Sequence, residues 1–115
     1  MAVEIDFDKM GGLAPAIVQD AATGEVLMLG FMNRAAFDTT LASGYVTFFS
    51  RTRNRLWTKG ETSGNRLKVV AASADCDLDT VLCRVQVEGK GVVCHTGTRT
   101  CFNVELPMLA TGGPQ

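Results

Sequence analysis

The chain has 115 residues, 46% apolar and 20% charged, with 11 Lys and Arg against 12 Asp and Glu for a net charge of −1. That length and apolar content suit one folded domain and exclude a disordered polymer. The charge balance argues against a general nucleic-acid binder, which needs excess positive charge to displace counterions.

No apolar run approaches the roughly 18–20 residues that span a bilayer, so no membrane partner is expected. The first ten residues include Glu4, Asp6 and Asp8. They lack the basic and apolar regions of a signal peptide, and the cytoplasm is the expected compartment. Thiols stay reduced there, so Cys76, Cys83, Cys94 and Cys101 read as ligands, nucleophiles or core residues rather than disulfides.

In chain order, residues 15–19 and 26–31 are apolar runs of strand length joined through Thr23-Gly24, which predicts a hairpin. Asn33 is placed to cap a helix over residues 34–43, with Phe37 and Leu41 on its inner face and Gly44 ending it. Residues 45–49 are β-branched and aromatic and predict a third strand. Residues 50–65 are polar and aperiodic and predict a long functional loop. Strands are expected at residues 67–72 and 80–87. A turn at 88–91 precedes Cys94, and a last strand is expected at 102–106. The fold expected is α+β, a mostly antiparallel sheet with one main helix, in a single domain over residues 1–109. Residues 110–115 are expected to be a flexible tail.

Three segments carry chemistry. If Asp75-Cys76-Asp77-Leu78-Asp79 is extended, its carboxylates share one face and Cys76 takes the other. Carboxylate oxygens suit a hard cation such as Mg2+, and a thiolate suits a soft one such as Zn2+. A solvated acidic loop has the same spacing. Cys94 and Cys101 bracket His95-Thr96-Gly97-Thr98-Arg99-Thr100, a spacing too wide for a short zinc knuckle but able to fold both sulfurs onto one ion. Three cysteines with no fourth partner would leave the open position of a catalytic zinc. Three separate buried cysteines would share the pattern. Cys83, in phase with Val81 and Val85, reads as core. His95, the sole histidine, reads as a fourth metal ligand, a satisfied core residue, or a general base suited to proton transfer near neutral pH.

The third segment holds Arg51, Arg53 and Arg55, then Trp57 and Lys59, then Gly60-Glu61-Thr62-Ser63-Gly64-Asn65. Arginine forks match phosphate geometry, and a glycine-rich loop offers backbone N–H groups to an anion. A solvated hairpin is the plainer reading.

Taken together, Ser50-Arg51-Thr52-Arg53, residues 56–65, Asp75-Cys76-Asp77-Leu78-Asp79 and residues 94–102 resemble the phosphoribosyl-AMP cyclohydrolases of histidine biosynthesis. The likeness runs from about Leu27 to Phe102. It implies water addition to the adenine ring of N1-(5-phosphoribosyl)-AMP and opening between N1 and C6. It implies an intertwined homodimer whose zinc sites are shared across the interface, with Cys76 from one subunit and Cys94 and Cys101 from the other. Asp75, Asp77 and Asp79 match the family's magnesium ligands. His95, with Glu61 second, is the expected base. Arg51, Arg53, Trp57, Lys59, Gly60, Thr62, Ser63, Gly64, Asn65 and Arg99 are expected to bind substrate. Two positions depart from the pattern: Thr58 stands where many members have histidine, and Asn103 where an aromatic residue is frequent. The alternative function is a structural zinc module with a phosphate-binding loop. A thiol-redox pair lacks its C-x-x-C, and an RNA-binding domain lacks the charge.

Overall fold

The computed structural model describes residues 3–109. The expected tail at 110–115 lies outside the described residues. Six strands and one helix follow a 3-10 turn at Asp8–Met10: β1 (Ala14–Asp20), β2 (Val26–Met32), α1 (Arg34–Ser43), β3 (Thr47–Ser50), β4 (Arg55–Thr58), β5 (Leu67–Ala74) and β6 (Val81–Val87). β2, β1, β6 and β5 form one sheet in that order, and β3 with β4 forms a second. The α+β class holds. All pairings are antiparallel except β1 with β6, which run parallel.

β1 alternates strictly, with Ala14, Ala16, Val18 and Asp20 inward. Its hairpin to β2 is closed by Asp20, whose Oδ1 accepts the Ala22 and Thr23 N–H groups at 2.7 and 3.1 Å. Leu27, Met32, Phe48, Leu67, Val81 and Val85 are each no more than 2% exposed and form the centre of the core. Burial of a side chain of this size contributes about 1.5–3 kcal/mol. Cys83 joins them in phase with Val81 and Val85, and burial pushes its thiol up to about 11.

The helix has the expected bounds. Asn33 Oδ1 accepts the Ala36 N–H at 2.8 Å, and Gly44 ends the helix in the left-handed conformation at φ 81°. Its inner face differs from the expectation. Ala36 and Thr40 are buried, Phe37 is half-buried, and Leu41 is 55% exposed. A polar residue takes the inner place because it is fully satisfied there. Thr40 Oγ1 accepts the Thr47 N–H at 2.9 Å and donates to the Ala36 carbonyl at 2.9 Å, tying α1 to β3.

Three further expectations are corrected. Residues 50–65 are not one long loop, because Arg55–Thr58 pairs with Thr47–Ser50 as a hairpin. Apolar Leu56 and Trp57 pack on the core and make that strand worth forming. No strand forms at 102–106, where Phe102, Val104 and Leu106 are 63%, 79% and 80% exposed without a ladder partner. The 75–79 run is a turn rather than extended, with Leu78 at φ 62°.

Candidate active site

The cysteine loop is built on the first hairpin. Within it, the Cys94 N–H donates to the Thr98 carbonyl and the Gly97 N–H donates back to Cys94, both at 3.0 Å. The reversal needs Gly97 at φ 94°. Thr100 Oγ1 donates to the Val26 carbonyl at 2.8 Å, and the Cys101 N–H donates to the Leu27 carbonyl at 2.8 Å. The loop therefore doubles back along β2 and brings its two ends together.

Cys94 is buried and has a 2.9 Å contact from its Sγ to Thr96 Oγ1. Its thiol is lowered to about 6, first by the Thr96 hydroxyl and backbone N–H, with Thr98 and the Cys101 thiol adding to them. Cys101 moves the other way, raised by burial and by the adjacent Cys94 charge. The opposite shifts favour the thiolate at Cys94 and the thiol at Cys101. Two soft donors so prepared fit zinc. Cys76 is exposed on the 75–79 turn. Among the described residues of one chain it does not join Cys94 and Cys101 in a common cluster of metal donors.

Asn103 was missed by sequence reasoning as a site residue. Its Nδ2 lies 3.8 Å from Cys94 Sγ and donates to Thr98 Oγ1 at 2.9 Å. The amide thus supports the thiolate loop, which an aromatic side chain there would not do. The only sequence signal is its place two residues beyond Cys101. The other departure, Thr58, turns its hydroxyl to Thr47 Oγ1 at 2.9 Å, within the hairpin.

Facing the cysteine loop is a cleft of about 430 Å3, lined by Cys94, His95 and Gly97 from that loop and by Lys59, Gly60, Glu61, Thr62, Ser63 and Asn65. His95 is exposed at this opening. Across Trp57, Glu61 and Thr62 the cleft adjoins a second one of about 420 Å3 that reaches Ser50, Arg53 and Arg55. Of the predicted loop residues, Arg53 lines the second cleft, Lys59, Gly60, Ser63 and Asn65 line the first, and Trp57, Glu61 and Thr62 form a wall common to both. Arg51 lies to its side, with its guanidinium 4.5 Å from the Phe31 ring centroid. The Lys59 ammonium lies 5.4 Å from the Trp57 ring. Arg55 donates to Glu61 at 2.9 Å, so Glu61 is already paired and Arg55 belongs in the site. Its alternation with Arg51 and Arg53 was the available signal.

The 60–65 loop is locked by two glycines and an amide. A Cβ on Gly60, at φ 80°, would lie 2.3 Å from the Asn65 carbonyl oxygen. Gly64, at φ 83°, donates its N–H to the Gly60 carbonyl at 2.8 Å. The Ser63 hydroxyl accepts the Asn65 N–H at 3.2 Å, and Asn65 Oδ1 accepts the Lys90 N–H at 2.8 Å. Arg99 points elsewhere: it donates to Asp20, to Glu25 and to the Gly91 carbonyl.

The aspartates converge despite the turn, with one carboxylate oxygen of each of Asp75, Asp77 and Asp79 within 4.8 Å of the others. Asp75 Oδ1 also accepts the Asp79 and Thr80 N–H groups at 3.0 and 3.1 Å. The Lys9 ammonium lies 2.9 Å from Asp77 and 2.8 Å from Asp79. The three carboxylates are oxygen donors of the kind a hard divalent ion takes, and the Lys9 ammonium is paired with two of them.

The sequence profile described as phosphoribosyl-AMP cyclohydrolase matches residues 28–103. The chain belongs to this family. It is 64% identical over 100 residues to a histidine biosynthesis bifunctional protein HisIE from Bacteroides thetaiotaomicron, covering 87% of this chain and 48% of that protein. It is 56% identical over 101 residues to a phosphoribosyl-AMP cyclohydrolase from Desulfatibacillum aliphaticivorans, covering 88% of this chain and 80% of that protein. A phosphoribosyl-AMP cyclohydrolase from Geotalea daltonii is 53% identical over 103 residues, with 90% and 81% covered. The chain thus spans about half the length of the bifunctional relative and about four-fifths of the other two.

Proposed function

We propose that this chain opens the adenine ring of N1-(5-phosphoribosyl)-AMP by adding water at C6 and breaking the N1–C6 bond, with zinc at Cys94 and Cys101. The observation that carries the reading is the folded-back loop that carries Cys94 and Cys101, with Cys94 and His95 across one cleft from a glycine-rich loop. The metal supplies Lewis acidity. Everything else falls to the side chains.

His95 takes the proton from the attacking water and can return it to N1 as that bond breaks, so the step needs no other co-reactant. Glu61 is the second candidate base, and it must first leave Arg55. The substrate's two phosphates are dianionic and need guanidinium or ammonium partners. Arg51, Arg53 and Lys59 supply them, and the N–H groups and hydroxyls of residues 60–65 hold phosphate and ribose. The Trp57 ring gives the base a flat apolar wall. Asp75, Asp77 and Asp79 would hold magnesium, which would supply positive charge against a phosphate.

The working unit in this reading is a homodimer, with Cys76 of one subunit completing the donor set of the other. The exposed apolar residues Phe102, Val104, Leu106, Met108 and Leu109 support it, since apolar surface of this extent favours burial against a second copy. Reduced thiols and a small-molecule substrate suit the cytoplasm, and among the described residues no helix is long and apolar enough to cross a membrane.

The test is the purified chain with N1-(5-phosphoribosyl)-AMP, followed by ultraviolet absorbance, with and without chelator. Ring opening that stops on chelation and returns with zinc is expected. No ring opening with zinc and magnesium present would refute the activity.

A further inference from the structure

We infer that Asp20 and Arg99 are a positioning pair that holds the Cys94–Cys101 loop in its metal-receiving geometry, an inference that rests on the zinc reading above. Arg99 lies inside the loop, and its guanidinium reaches three acceptors on two other segments, the 20–25 turn and the 88–91 turn. Nε donates to Glu25 at 3.1 Å, one Nη donates to the Gly91 carbonyl at 2.9 Å, and the other donates to Asp20 Oδ2. Its own carbonyl accepts the N–H of Val93, the residue before the first cysteine, at 3.2 Å. One residue therefore ties both ends of the loop to the end of β1 and to the 88–91 turn.

Asp20 is the fixed end of this anchor. It is the one buried carboxylate among the described residues. Its other oxygen is held by the Ala22 and Thr23 N–H groups. These backbone bonds are the chief cause of its lowered pKa, and the Arg99 charge adds to them. A buried carboxylate of this kind must stay paired, because an uncompensated buried charge is strongly unfavourable. A substrate phosphate would have to compete with Asp20 for Arg99 and leave that carboxylate alone. Arginine is required, since no other side chain offers a planar fork to three acceptors at once. The other pins to neighbouring elements, the Thr100 hydroxyl and the Cys101 N–H, hold the second cysteine's end. The Asn103 amide and the Cys94 N–H bond only within the loop region itself. Without the pair, the first cysteine's end keeps only its main-chain bond from Val93 to Arg99, and Cys94 is expected to shift against Cys101.

Donor orientation by neighbours outside the ligand set typically governs metal affinity by about 10–100-fold. The experiment is zinc titration of the metal-free full-length chain against a chromophoric chelator, for the native chain, Asp20→Asn, Arg99→Gln and the double variant, each well below its unfolding temperature. The cobalt-loaded thiolate spectrum is recorded alongside. Asp20→Asn keeps an oxygen for the Ala22 and Thr23 N–H groups and so remains a folded probe if Arg99→Gln does not. A loss of about tenfold or more in zinc affinity is expected in each single variant, with an altered cobalt spectrum and little further loss in the double variant. Unchanged affinity and spectrum in the folded variants would overturn the positioning role. So would a defect confined to substrate KM, which would return Arg99 to phosphate binding. A native chain that takes up no zinc would overturn the metal reading itself.

Discussion

The ammonium of Lys9 lies 2.8 Å from the carboxylate of Asp79. The same ammonium reaches Asp77, and the Asp6 N–H donates to the Leu78 carbonyl at 2.7 Å, so the N-terminal segment is stitched to the aspartate turn twice. A tethered cation occupies the ground that a divalent ion would take. Lys9→Met should therefore bind Mg2+ several-fold more tightly than the native chain in calorimetric titration. Equal affinities would show that the ammonium does not compete.

The same contact sets a titration. Asp79 is lowered to about 2, first by the hydrogen bond from Lys9 and then by Asp75, while Lys9 is raised by both carboxylates. A depressed carboxylate stabilises the fold above its unfolded pKa and loses that contribution as pH falls toward the folded value. In Lys9→Met the Asp79 midpoint should rise toward the ordinary carboxylate range, as read from its carboxyl carbon shift in metal-free protein. A midpoint that stays near 2 would assign the effect to Asp75 alone.

Cys94 should be a thiolate at neutral pH in the metal-free chain, because its pKa is depressed to about 6. Its ultraviolet thiolate band, taken as the difference from Cys94→Ser, should fade as pH falls through that value. Thr96→Val removes the principal hydroxyl partner and should shift the midpoint upward. An unshifted midpoint would move the cause to the backbone N–H groups.

Gly30 faces the ring of Phe48, and a Cβ there would lie 2.6 Å from two ring carbons. Phe48 is 1% exposed and has no room to yield. Gly30→Ala should destabilise the chain by about 1–3 kcal/mol in denaturant unfolding. Phe48 also packs on Trp57 at 5.7 Å between ring centroids, so a rise in substrate KM should accompany the loss.

Arg53 lines the outer cleft and has no carboxylate partner among the described residues. Arg53→Ala should raise KM with little change in kcat, the pattern of lost ground-state binding. A pure kcat loss would place it at the reacting ring instead.

Local signals in the sequence were read well where the physics is local. The Asn33 cap, the Gly44 stop, the 26–31 run and the core phase of Cys83 depend on neighbours within a few residues. What escaped depends on distant partners. Thr40 is inward because it meets Thr47, and no helical pattern of apolar residues shows that. Residues 55–58 are a strand because β3 lies beside them. The parallel pairing of β1 with β6 leaves no mark on either segment. The aspartates and the cysteine loop stand out in the sequence by residue type, but Asn103, Asp20 and the bonds of Arg99 emerge only from tertiary contacts.

The parallel join of β1 to β6 also orders events in time. β1 is central in its sheet, yet one of its two neighbours is more than sixty residues away. Pairings of such long sequence separation form slowly, since the intervening chain must first be ordered. The cysteine loop then rests on Val26, Leu27 and Asp20, which are secure only once that sheet has closed. The sulfurs should come into register last. In the zinc reading proposed above, metal capture should lag behind backbone folding, and a chain with a misassembled sheet should bind zinc poorly.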